Sequence, residues 1–76
     1  MKLENLKFGD KFKTRGGKIA IVVGEHKNAR KHWYEFLALE KGIPMLGNQP
    51  YRFYAYDDGT AFEGFEWLNI VEDHDD

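Results

Sequence analysis

The chain has 76 residues, no cysteine, 16% aromatic residues, a formal charge of −2 and a sequence pI of about 5.9. That length bounds it to one domain, and the lack of cysteine rules out disulfide staples and Cys-based zinc sites. The charge lacks the strong basic excess that usually accompanies dedicated nucleic-acid binders.

A chain of this size buries only roughly 60% of its unfolded surface. It must stand on an aromatic-rich core or on a partner subunit. The opening "MKLENLKFGD" has no apolar signal-peptide core. No stretch reaches the ~20 apolar residues that span a bilayer. The expectation is a soluble protein, held in the cytoplasm, with no membrane association.

In chain order, Leu3 and Leu6 are expected on a short helical turn ahead of Gly9-Asp10. "KFKTR" then alternates, with Lys11, Lys13 and Arg15 on one side and Phe12 and Thr14 on the other. Such period-two alternation marks a half-buried strand. "RGGK" follows, and its paired glycines suit a tight two-residue hairpin turn. Setting Lys18 toward water then points Ile19, Ile21 and Val23 inward.

The stretch "HKNARKHWYEFLALEKG" admits two readings. As a helix over 29–41 it has Asn28 as a cap, Gly42 as a stop and Pro44 beyond. Yet Trp33, Tyr34, Phe36, Leu37 and Leu39 spread almost all round a helical axis, which a domain this small cannot bury. The strand reading sets Glu35 in water and points Tyr34, Phe36 and Ala38 inward, and it is the reading adopted. The basic residues before it form a loop, and "KGIPMLGNQP" becomes a second loop.

"YRFYAYDDGTAFEG" predicts another hairpin, turning at Asp58-Gly59. Arg52 in water places Phe53 and Ala55 inward, with Tyr54 and Tyr56 on the side of Arg52. "EWLNIVE" closes the pattern as a short strand, with Leu68 and Ile70 inward and Trp67 and Asn69 outward. Residues 1–72 are expected to form the domain, and 73–76 an acidic flexible tail.

Five or six short strands in this length predict a mainly β, strongly bent antiparallel barrel. The opening "FGDKFKTRGGKIAIVV" resembles the start of small SH3-like and KOW-like barrels through Gly9, Asp10, Thr14 and Gly17. Together with "YDDGTAF" and "WLNIVE", the chain also resembles small accessory proteins of phages and prophages. Gly9 to Ala20, Asp58-Gly59 and Ile70 to Glu72 carry that likeness. It implies a bacterial host setting and a product that binds or inhibits a host or defence factor.

The residues do not point to catalysis. Serine and cysteine are both missing, which removes the commonest nucleophiles. His26, His32 and His74 lack the spaced partners of a metal site or triad. No G-x-G-x-x-G or P-loop is present. Glu63 and Glu66 are the nearest approach to an acid–base pair, with nothing nearby to desolvate them. No enzyme activity, metal or cofactor is expected.

The strand phases instead collect Trp33, Leu37, Arg52, Tyr54, Tyr56 and Trp67 on outward faces, with Leu39 beside them. Tyr, Trp and Arg are the types enriched at interface hot spots, and a large exposed apolar patch usually has a use. A protein-binding face is the leading expectation. Curling of the strands that draws some of these rings into the core stands beside it. A homodimer or larger structural assembly uses the same surface. The alternative is nucleic-acid binding, with Lys27, Arg30, Lys31 and Arg52 meeting phosphates and rings stacking on bases.

Overall fold

The computed structural model describes residues 1–39 and 51–73. It is mainly β, with five antiparallel strands in one sheet. The strands are β1 (Lys11–Thr14), β2 (Ile19–Lys27), β3 (His32–Leu39), β4 (Tyr51–Tyr56) and β5 (Ile70–Asp73), ordered β4-β3-β2-β1-β5. The sheet is bent but not closed into a barrel. β5 and the β4 turn are linked only locally. Ile70 N–H donates to Gly59 O at 2.8 Å and Ala61 N–H donates to Asn69 Oδ1 at 2.9 Å.

The two readings of the central stretch resolve to a strand, β3, paired on both sides. Asn28 does act as a cap, but of a turn. Its Oδ1 accepts the N–H groups of Arg30 at 2.8 Å and Lys31 at 2.9 Å, which closes the β2–β3 hairpin. Local side-chain capping of this kind competes with helix formation. The predicted loop "KGIPMLGNQP" and His74 lie outside the described residues.

The concave face carries the core. Phe12, Ala20, Val22, Tyr34, Phe36, Ala38, Phe53 and Ala55 point into it from the strands. Phe36 sits at the centre, edge-on to Phe12 at 6.2 Å and stacked on Phe53 at 5.3 Å. Leu3, Ala61 and Leu68 cap this cluster from the flanking segments. The inward phases expected for β1, β3 and β4 hold.

Several expectations are corrected. β2 has the opposite phase: Ala20 and Val22 are buried, whereas Ile19 and Ile21 are half-buried on the convex face. The cause is the β1–β2 loop. Lys13 pairs with Ile19, Thr14 N–H donates to Lys18 O, and Gly17 N–H donates to Thr14 O. The loop therefore spans residues 15–17, with Gly17 alone at positive φ (84°). That is the three-residue hairpin with a left-handed final residue, not the two-residue primed turn. One residue of shift exchanges the faces of a strand.

Leu3 and Leu6 are not on a helical turn. The amino-terminal segment bends at Asn5 (φ 57°), a residue tolerant of that region, and Leu3 alone is fully buried. Trp67 lies in a 3-10 turn, Glu66–Leu68, so that β5 begins only at Ile70. Asp73, expected in the tail, pairs with Phe12 as the last residue of β5.

Tyr34 is fully buried, and its hydroxyl makes no hydrogen bond of good geometry among the described residues, although the Leu6 backbone and the Glu25 carboxylate lie close to it. Burial first, and the nearby Glu25 carboxylate second, hold its pKa above the ordinary phenol value. The unfolded chain therefore gives up this proton first as pH rises past about 10. Stability from the neutral phenol is complete below that pH and is lost above it. Tyr34→Phe is expected to be neutral or slightly stabilising at pH 7, because it deletes an unpaired buried hydroxyl. It should also flatten the alkaline loss of stability. Tyr51, likewise raised by burial and by its hydrogen bond to Glu63, retains part of that loss. Urea unfolding at pH 7 and pH 11 checks both points. A destabilisation above ~1 kcal/mol at pH 7 would mean that the hydroxyl is paired.

Candidate functional site

The convex face of β2, β3 and β4 is the side opposite the core. Antiparallel register fixes which side chains meet across it. Lys11, Ile21, Leu37 and Arg52 form one cross-strand row, and Lys13, Ile19 and Leu39 the next. Cross-strand neighbours of this kind are the contact unit of a sheet. The row beyond Leu37 holds Gly24, Glu35 and Tyr54, and the last holds His26, Trp33 and Tyr56.

His26 reaches this face because of a bulge. The β2–β3 register shifts between Val22 and Gly24, so the even-numbered residues of β2 change sides after Val22. An inserted residue re-aims the side chains beyond it. His26 then stacks on Trp33, with ring centroids 5.3 Å apart and planes 10° apart.

Phe62 completes the cluster. The turn after β4 again spans three residues, 57–59. Tyr56 N–H donates to Thr60 O, Ala55 bridges Ala61, and Phe62 N–H donates to Tyr54 O. Ala61 therefore faces the core and Phe62 the convex side. Its ring stacks on Tyr56 at 4.2 Å and also touches Tyr54 at 5.8 Å and Trp33 at 6.0 Å. The Asp58 carboxylate holds the turn by accepting the Thr60 N–H at 2.8 Å. That bond, first among its causes, keeps the pKa of Asp58 below the ordinary value.

Glu35 organises the centre of the face. One carboxylate oxygen meets Arg52 Nε at 2.9 Å, and the other lies 3.6 Å from His26 Nε2. The Glu35 side chain is only 17% exposed and that of Arg52 is 64% exposed. The guanidinium is thus what the face presents outward. An exposed pair of this kind adds little stability, ~0–1 kcal/mol, but it orients the arginine.

Of the sequence-predicted residues, Trp33, Leu37, Arg52, Tyr54 and Tyr56 come together on this face. Trp67 does not. It packs beside Gly16, where an added Cβ would meet Trp67 Cβ at 2.9 Å. It stacks on Phe65 at 6.1 Å, near Arg15. Sequence reasoning missed Phe62, His26, Ile19 and Ile21. Counting the hairpin loops as three residues would have found all but His26.

Lys27, Arg30 and Lys31 of the alternative site sit at the β2–β3 turn, away from Arg52. They line a polar cleft that also contains Glu4, Glu25 and Asp58. His32 borders it and is held by Glu25 at 2.7 Å. The cations there are interleaved with acids. Among the described residues no three His, Asp or Glu side chains converge as a metal site would require, and no helix is long and apolar enough to cross a membrane.

Comparison of the chain with protein-family models, curated proteins and solved structures finds no match.

Proposed function

We propose that this chain is a non-catalytic binding module that captures a protein partner on the convex face of its sheet. The observation that carries this reading is the joining of aromatic, aliphatic and arginine side chains into one surface. Tyr54 and Phe62 remain 36% and 40% exposed there, and Leu39 38%. Hot spots cluster where rings and arginine lie together.

The likeness of its turns to SH3-like barrels and to phage and prophage accessory proteins supplies the setting. It makes a bacterial host or defence protein, inside the cell, the first partner class to test, with inhibition as the consequence of occupying its surface.

Nucleic acid is less well served. Stacking platforms need open ring faces, and here His26 covers Trp33 while Tyr56 covers Phe62. Self-assembly would use the same face, and sedimentation across dilution reads it directly. Capture from bacterial lysate is expected to be lost in Trp33→Ala/Tyr54→Ala with the fold retained.

A further inference from the structure

We draw no further inference here: the strongest candidate, the aliphatic strip of Ile19, Ile21, Leu37 and Leu39 on the convex face of β2 and β3, carries nothing because the charges beside it are already partnered, Lys13 with Glu72 and Arg52 with Glu35, and nothing in the structure shows what covers it.

Discussion

Phe36→Ala is expected to remove a large share of the stability of the fold. Phe36 is fully buried and meets Phe12, Tyr34 and Phe53. Phe53 comes from the neighbouring strand β4 and Phe12 from β1, two strands away, so its loss opens the core across the sheet. Truncating a buried phenylalanine costs about 3–5 kcal/mol, through lost transfer energy and the cavity left behind. A domain of this length has a total stability of roughly 4–11 kcal/mol. The melting temperature should fall by roughly 15–30 °C, as read by circular dichroism. A fall under 5 °C would mean that the rings around Phe36 close the gap, and that the core is not centred there.

Gly59→Ala is the second large effect, and it tests how the open sheet is held. Gly59 is buried with φ at 92°, and an added Cβ would lie 2.5 Å from Ile70 O. Its own carbonyl accepts the Ile70 N–H. The substitution therefore combines left-handed strain, ~1–2 kcal/mol, with overpacking of ~1–3 kcal/mol. It strikes the link between the β4 turn and β5. We expect a melting temperature lower by roughly 10–20 °C. Gly17→Ala is the control. Its φ is 84°, but nothing lies within 4 Å of an added Cβ, so only the backbone part should be lost. Equal losses in the two variants would show that the approach to Ile70 contributes nothing.

The strands were legible in the sequence because alternation depends only on which side is wet. β3 shows this best. Setting Glu35 on the face opposite the core correctly sent Tyr34, Phe36 and Ala38 inward, although Glu35 itself is largely covered by its neighbours. The loops were less legible. "RGGK" and "DDGT" each look like a two-residue turn, yet in each the loop takes three residues and only its last, Gly17 or Gly59, is left-handed. The one-residue difference reversed β2 and turned Phe62 outward. It hid Ile19, Ile21 and Phe62, which make much of the convex face apolar. The bulge that delivers His26 has no signal in this sequence beyond Gly24. Trp67 was misplaced because "EWLN" tightens into a 3-10 turn, where period-two counting fails.

The measurement that bears most directly on the convex face is quantitative capture from nuclease-treated bacterial lysate with three immobilised proteins. They are the unaltered chain, Trp33→Ala/Tyr54→Ala, and a loop variant with Lys27, Arg30 and Lys31 changed to glutamine, each shown to be folded by its NMR spectrum. The proposed binding face requires one nuclease-resistant protein band, retained by the loop variant and reduced at least tenfold in the aromatic variant. A band that survives loss of Trp33 and Tyr54, or one that disappears with nuclease or with the loop cations, would contradict it.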